Sequence, residues 1–303
     1  MSFVRRLLGC MKNSEGDALC SYDAIHREAN NTSPNAFLFS NLKAQIGHSL
    51  LPSVYLQHGL TIDNVSSPSS YTISGVLSSY SRLLQLAVEP STRTLQGLAK
   101  VSALSRLHLR AHGQYCMGDG SRYTQIETEY TGSNTNATLK MINPTPGNIW
   151  NGFFGVSGLQ NISKTLSLGG EFLFRAIKSP FEIEKIGKTL SLRYTPNREA
   201  TFAATIQNSD TISSSYYQRI NRNVEMATEI QASVLKDTKK TIASTALKIE
   251  TEKTTARAVV DTSGRVAVWV EEKLLDDLSV LLCGEIERWN TVASLGFGLC
   301  LEQ

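Results

Sequence analysis

Leu166-Ser167-Leu168-Gly169-Gly170-Glu171-Phe172-Leu173-Phe174, near the middle of the 303-residue chain, alternates between two kinds of side chain. The large apolar residues at positions 166, 168, 172 and 174 fall on one side of an extended strand, with Gly170 among them. Ser167, Gly169 and Glu171 fall on the other side. A period of two with this division is typical of a β-strand that has one face in an apolar environment and the other in water.

The same alternation recurs along the chain, for example in Asn223 to Gln231, in Asp277 to Glu287 and in the closing stretch from Ser294 to Leu301. These segments run for roughly 9–12 residues and are separated by turn clusters, among them Asp261-Thr262-Ser263-Gly264. Between positions 37 and 301 the pattern predicts about nineteen strands, with a margin of two or three because some boundaries are weakly marked.

The first part of the chain has a different period. Ser14 to Asp17 forms a capping box, and Ala18 to Asn30 can continue as a helix with Tyr22, Ile25 and Ala29 on one side. Helical periodicity ends at about Pro34. We therefore predict an N-terminal segment with a helix over 1–34 and a single β domain over 35–303.

The β domain is predicted to be an all-β transmembrane antiparallel barrel with the helix in or near its pore. A transmembrane strand needs about 9–11 residues, and the polar faces are rich in Ser, Thr, Gly and Ala, as in a water-filled lumen. An odd strand count is typical of mitochondrial barrels. A soluble β-sandwich is the alternative, although its strands are usually shorter. Aromatic residues near segment ends are candidates for interfacial girdles: Tyr123, Tyr130, Trp150, Trp269 and Trp289.

Composition argues against an enzyme and against a nucleic-acid-binding protein. The formal net charge is +3, the five cysteines have no metal-binding spacing, and no phosphate-binding or hydrolase motif is present. We expect reduced thiols, no cofactor and no metal. His108 and His112 lie four residues apart in a strand-like stretch, where a metal site is less expected than two polar wall residues.

Several stretches resemble the pore-forming subunits of the translocase of the outer mitochondrial membrane, within the mitochondrial porin superfamily. The resemblance is carried by Tyr22 to Ala29, by Thr165 to Glu171, by Arg257 to Gly264, by Val270 to Leu274 and by Leu295 to Leu299. The N-terminal helix motif places Tyr22, His26, Arg27 and Glu28 in or beside the pore. The chain departs from the family at its end, where Cys300 to Gln303 replaces a more usual Thr-Val-Gly.

The resemblance implies a protein-conducting channel of the mitochondrial outer membrane that works without a cofactor. It implies as partners unfolded preproteins, small single-helix subunits and a receptor subunit, with two barrels paired in the lipid. The last strand also fits a mitochondrial sorting signal, a motif that a receptor can read by pairing with alternate residues. The signal residues are Ser294, Gly296, Leu299 and Leu301.

Import presequences have basic faces, so acidic side chains around the lumen are the expected transport residues. Inward-facing acidic candidates are Glu127, Glu129, Glu171, Glu225, Glu229, Asp261, Glu285 and Glu287. Arg257 and Lys248 are expected to point inward too. A metabolite porin of the voltage-dependent anion channel type is the alternative function, and a soluble β-rich binding protein is a third.

Overall fold

The computed structural model of the chain describes residues 21–62, 69–144, 152–178, 182–208, 210–235, 238–288 and 292–303. A short 3-10 helix (Tyr22–Ala24) and a short α-helix, α1 (Arg27–Thr32), precede nineteen strands. The capping box at Ser14 to Asp17 lies outside the described residues. In the part of the predicted helix that is described, the helix is divided in two and ends at Thr32, two residues later than predicted.

The strands follow one another with short connections. They are β1 (Asn41–Leu51), β2 (Val54–Ile62), β3 (Ser70–Ser79), β4 (Arg82–Glu89), β5 (Thr94–Leu104), β6 (Leu107–Cys116), β7 (Arg122–Thr131), β8 (Thr135–Ile142), β9 (Phe153–Asn161), β10 (Leu166–Lys178), β11 (Glu182–Asn197), β12 (Ala200–Gln207), β13 (Thr211–Arg219), β14 (Val224–Leu235), β15 (Thr238–Glu250), β16 (Thr254–Asp261), β17 (Arg265–Lys273), β18 (Leu278–Glu287) and β19 (Val292–Glu302).

The sheet closes on itself, so the prediction of a nineteen-stranded barrel with a short N-terminal helix is confirmed. Each strand is antiparallel to the next along the chain. An odd number of such strands leaves the first and the last running in the same direction, and β1 therefore pairs with β19 in parallel. Asn41 to Gly47 pairs with Gly296 to Glu302 in this seam. Closure removes the free sheet edges that an open sheet would expose.

The two faces of the wall differ as the alternation predicts. Leu168, Phe172 and Leu190 point outward and are exposed, with 41%, 52% and 63% of their surface accessible. Glu171 and Ser191, one position away, point inward. An apolar outer face and a polar inner face are the arrangement of a barrel that stands in lipid and encloses water. Among the described residues, no helix has the length and apolar character needed to cross a membrane.

The aromatic residues only partly follow the girdle prediction. Tyr130 lies at the end of β7 on the outer face, as expected. Trp269 and Tyr123 face inward, so the prediction is wrong for both: Trp269 packs against Phe37, and Tyr123 contacts His112. Trp150 and Trp289 lie outside the described residues.

Candidate functional site

The chain before β1 lies along the inner wall, and we call residues Tyr22 to Phe39 the N-terminal segment. Tyr22 and Ile25 are buried against Leu159 of β9 and Ala203 of β12. This close approach depends on Gly169 in β10, where a Cβ atom would lie 3.2 Å from the Tyr22 ring and 2.7 Å from a backbone oxygen. Gly169, the inward-facing member of the glycine pair that marks the central strand in the sequence, thus provides room for the segment.

The strongest polar contact of the segment joins Glu28 of α1 to Arg193 of β11. The guanidinium donates to both carboxylate oxygens, over 2.8 and 3.0 Å, and also to the carbonyl oxygen of Ile25 at 3.0 Å. Both side chains are largely buried, with 13% of Arg193 and 21% of Glu28 accessible. A bidentate pair of this kind fixes orientation as well as position.

A second ionic contact fixes the start of the segment to the two wall strands on either side of β9. Lys140 of β8 donates to Asp23 and, over 3.0 Å, to Glu171 of β10. Lys140 is 11% accessible, whereas Asp23 keeps 48% of its side chain exposed. The three groups form a compact acid–base–acid cluster in which the segment supplies one of the two carboxylates.

His26 is held between two wall hydroxyls. Its Nδ1 lies 2.7 Å from Ser215 Oγ of β13, and its Nε2 lies 2.8 Å from Thr205 Oγ of β12. Burial of the imidazole lowers the pKa of His26, and the nearby Arg193 guanidinium lowers it further. The ring is therefore neutral while the segment is docked.

The second half of the segment lies against β16 to β19. Asn35 accepts a hydrogen bond from Arg265 of β17 at 3.1 Å. The Arg257 guanidinium stacks on Phe37, 3.9 Å from the ring centre, and on the inward-facing Trp269 at 5.0 Å. Such cation–π contacts hold a charged group where water is scarce.

Phe39 lies beside the closing strand, and two glycines of that strand make room for it. The Cys283 thiol donates to the Phe39 carbonyl oxygen. A Cβ atom at Gly296 would lie 2.4 Å from that oxygen and 2.6 Å from Cys283 Sγ, and one at Gly298 would lie 3.1 Å from the Phe39 ring. Gly296 therefore has a packing reason to be glycine, apart from its predicted place in a sorting signal.

These contacts divide the inner wall into two parts. The covered wall consists of the inner faces of β8 to β19, on which the contacts of the segment described above fall, and of β1, whose Lys43 lies 5.5 Å from the centre of the Phe39 ring. The open wall consists of the inner faces of β2 to β7. The open wall is polar, and it contains Lys100 of β5 directly opposite Arg110 of β6, which is opposite Glu127 of β7. Like charges in direct opposition destabilise a sheet; here Glu127 lies 3.6 Å from Arg110.

The eight acidic candidates all occupy inward positions, but several have basic partners. Glu171 pairs with Lys140, Glu225 with Arg219 and Lys248, and Glu285 with Arg265. Asp261 accepts hydrogen bonds from the backbone of its own turn, and Glu287 lies opposite Arg265.

Three of the acidic candidates are less engaged with basic groups. Glu127 has the longer contact with Arg110, and Glu129 accepts a hydrogen bond from Asn136 at 2.8 Å. Glu229 lies between Ser215 and Ser244 and has no salt-bridge partner within the described part of the chain. Of the three, Glu129 is the best placed to meet a passing cation, because Glu127 has 12% of its side chain exposed and Glu229 lies on β14 of the covered wall.

The two wall histidines of β6 face the open wall. His108 lies 3.0 Å from Ser102, and the His112 ring meets Tyr123 edge-on. Across the described ranges, no group of three or more potential metal-binding side chains comes together. Arg27 of the helix motif is 55% exposed and lies 3.8 Å from Glu28.

The alternation alone does not identify the residues that dock the segment. Lys140, Arg193 and Arg265 are inward-facing cations. They were not among the predicted transport residues, which are all acidic. The sequence does contain a signal, because Asp23 and Glu28 on the N-terminal helix need cationic partners if that helix lies inside the barrel. Which strands supply the partners depends on the three-dimensional path of the segment.

A closed barrel of nineteen strands with a polar lumen and an inward-lying N-terminal segment is a membrane pore. The chain matches the family model "Eukaryotic porin" over residues 19–298 and belongs to that family. This family and the nineteen-stranded barrel place the protein in the mitochondrial outer membrane, as a channel and not an enzyme.

The chain is also similar in sequence to one particular protein. It is 24% identical over 290 residues to the mitochondrial import receptor subunit TOM40 of Saccharomyces cerevisiae, covering 88% of this chain and 73% of that protein. Among solved structures, two mutant porins of Rh. blastica align with TM-scores of 0.48 and 0.47 at 11% and 12% identity. They cover 80% of this chain and 96% and 98% of theirs.

Proposed function

We propose that the protein is the protein-conducting channel through which preproteins enter across the mitochondrial outer membrane. The observation that carries the proposal is the set of carboxylates on the inner wall, of which Glu127, Glu129 and Glu229 are the least neutralised. Presequences are basic amphipathic helices, so such carboxylates can attract them without holding them tightly. Weak contacts at several sites permit both entry and exit.

Two further features support this function. The likeness to the import subunit of yeast extends over most of the chain. The N-terminal segment is fixed to one side of the wall by the Glu28–Arg193 and Asp23–Lys140 pairs, which leaves the open wall facing the lumen. A polar surface suits the passage of unfolded chains of many sequences.

We further propose the partners that this function requires. They are unfolded preproteins, small single-helix subunits and a receptor subunit, with two barrels paired in the membrane. The apolar outer face supplies surfaces on which single helices could pack, for example around Leu282, Leu295 and Phe297. Co-purification of the protein in mild detergent, followed by mass measurement of the intact complex, tests this set of partners.

A metabolite porin of the voltage-dependent anion channel type is the second candidate. The observation that favours it is the pair of cations Lys100 and Arg110, which face each other on the open wall. An anionic metabolite would be attracted to them. The two functions predict opposite ion preferences for the pore.

Recording from single reconstituted channels decides between the two functions. We expect a preference for cations, and brief blockades when a basic presequence peptide is added. A peptide of the same composition in scrambled, non-amphipathic order serves as the control and should block less. A preference for anions together with no response to the presequence peptide would contradict the import function.

A further inference from the structure

We propose that the inner wall from β7 to β10 holds a divalent cation of the calcium class, beneath the 3-10 helix of the N-terminal segment. The ligands are side-chain oxygen atoms of Asn136, Thr138 and Ser157, with a carboxylate on either side of them. The inference concerns an inorganic ion and holds whichever cargo the channel conducts.

Three adjacent polar side chains of this wall are buried, and each has an oxygen atom without a hydrogen-bond partner in the described part of the chain. The atoms are Asn136 Oδ1 and Thr138 Oγ1 of β8 and Ser157 Oγ of β9. The three residues keep 0%, 4% and 2% of their surface accessible. A buried polar atom without a partner is costly. Three of them in one place therefore point to a ligand that they share.

The strand register places these oxygen atoms between two carboxylates. Thr138 lies directly opposite Glu129 of β7 on one side and Ser157 on the other. Ser157 in turn lies opposite Glu171 of β10. The four side chains form one row across four neighbouring strands. Asn136, two residues before Thr138 on the same face, donates its amide N–H to Glu129 at 2.8 Å, which leaves its oxygen for a cation.

The charge of the surroundings favours a divalent cation. Asp23, Glu129 and Glu171 contribute three negative charges. Lys140, which bonds to Asp23 and to Glu171, contributes one positive charge. Three negative charges and one positive charge leave an excess of two negative charges, which one divalent cation balances. Water alone would satisfy the hydroxyls but would not balance this charge.

The chemistry of the ligands favours Ca²⁺ among divalent cations. Ca²⁺ accepts about 6–8 oxygen ligands in a flexible geometry, whereas Mg²⁺ demands a near-ideal octahedron. Zn²⁺ is usually held by sulfur and nitrogen ligands, and the described residues contain no cluster of three or more histidine, cysteine or acidic side chains. Hydroxyl and amide ligands have no such cluster or spacing, so the expectation of no metal did not take them into account.

The N-terminal segment closes the site. Tyr22 packs on Leu159, which lies directly opposite Asn136, and Asp23 reaches Lys140. A bound cation reduces the repulsion between the carboxylate of the segment and those of the wall. Occupation of the site should therefore stabilise the docked segment, and the wall would respond to the concentration of Ca²⁺.

The first test is equilibrium dialysis of radioactive Ca²⁺ against the full chain in a nonionic detergent, after treatment with a chelator. We expect one ion per chain. In Thr138→Val with Ser157→Ala, affinity should fall by at least roughly tenfold, since loss of even an indirect ligand typically weakens metal binding by about 10- to 100-fold. Thr72→Val with Ser74→Ala is the matched control, because it removes two hydroxyls from the inner face of β3, away from the site. Its affinity should equal that of the wild type.

Thermal unfolding with Ca²⁺ and with a chelator separates a bound cation from bound water. Ca²⁺ should raise the unfolding midpoint of the wild type, as any ligand of the folded state does, and should leave that of Thr138→Val with Ser157→Ala unchanged. In chelator this variant should be at least as stable as the wild type, because it lacks the two unpartnered hydroxyls.

Two results would overturn the proposal. One is the absence of saturable Ca²⁺ binding by the wild type, or equal affinity in the variant that lacks Thr138 and Ser157. The other is a variant that is less stable than the wild type by the same amount in chelator and in Ca²⁺, which would assign the site to water only. Presequence peptides are absent from these tests, so their result is independent of the import function.

Discussion

The covered wall and the open wall are built from the same kind of strand, yet their charged side chains differ in burial and in ionic partners. On the covered wall, Arg193 and Lys140 are nearly buried and have carboxylate partners from the N-terminal segment. On the open wall, Arg110 is half exposed and meets Glu127 at a longer distance. The comparison teaches that a charged side chain in this lumen has a structural role where the segment covers it and remains available to cargo where the segment does not.

The largest expected effect comes from breaking the main ionic contact of the covered wall. Arg193→Gln removes the bidentate pair and leaves Glu28 without its cation in a largely buried place, which should weaken docking of the segment by about 3 kcal/mol. Limited proteolysis within residues 22–39 in detergent micelles measures the loss of protection. Arg193→Lys is the matched control, because it keeps the charge without the fork geometry, and it should fall between the wild type and Arg193→Gln. Unchanged protection in Arg193→Gln would contradict the assigned anchor.

A somewhat smaller effect is expected where the segment passes the closing strand. Gly296→Ala places a methyl group against the Phe39 carbonyl oxygen and Cys283 Sγ, and relief of such crowding typically costs about 1–3 kcal/mol. Thermal unfolding in micelles should show a clear decrease in stability. Gly75→Ala is the control, since a Cβ atom there meets nothing within 4 Å. If both substitutions lower the stability equally, backbone freedom and not Phe39 explains the glycine at position 296.

The next effect in size is the dependence of segment docking on pH, which distinguishes the covered wall from the open wall. The pKa of His26 is lowered in the docked state. As the pH falls, the undocked segment therefore takes up a proton before the docked segment does. Stability rises with pH wherever the undocked state binds more protons. Docking should therefore weaken as the pH falls below the ordinary histidine pKa of about 6.5 and stay constant above it. The charged groups nearest the ring are Arg193, which opposes protonation, and Glu28, which favours it.

The proteolysis assay measures this dependence at pH 7.5 and at pH 5.5, one value above the ordinary histidine pKa and one below it. His26→Asn keeps a hydrogen-bonding side chain and removes the titration, so it should abolish the difference between the two pH values. A difference of equal size in His26→Asn would assign the pH dependence to another group.

The smallest effect on stability is expected on the open wall. Glu129→Gln removes a carboxylate that has no salt bridge within the described residues and keeps an oxygen to accept the hydrogen bond of Asn136, so the free energy of unfolding should change by no more than about 0.5 kcal/mol. Binding of a basic presequence peptide, measured by the frequency of blockades, should fall by roughly twofold per charge. Glu225→Gln, which removes a carboxylate that pairs with two wall cations, should instead lower stability more. The reverse order of stabilities would contradict the division of the wall.

The alternation of the sequence was sufficient to predict much of the fold. The strand around Leu168, the closing strand and the strand count all follow from a period of two, because one face meets lipid and the other water. The segment's path does not follow from this pattern. Trp269 alternates like its neighbours but packs under Phe37, a contact between positions more than two hundred residues apart.

The site was predictable only in part for the same reason. Parity places Glu171 and Glu225 on the inner face, but it cannot tell that Lys140 and Lys248 neutralise them. Arg193 could have been suspected as a partner for Glu28, yet any inward-facing cation satisfied that requirement equally. Charge pairing across a barrel depends on which strands the segment crosses, and that is a property of the tertiary structure.

Trapping of a translocating peptide by disulfide formation tests the central claim most directly. Ser102→Cys on the open wall and Ser191→Cys on the covered wall are near-isosteric changes, made in a chain whose five native cysteines are replaced by serine. Ser102 is exposed, whereas Ser191 is 5% exposed and bonds to Tyr22. A basic presequence peptide with a single cysteine should form a mixed disulfide readily at position 102 and little at position 191. Equal trapping at both positions, or preferential trapping at position 191, would contradict the account.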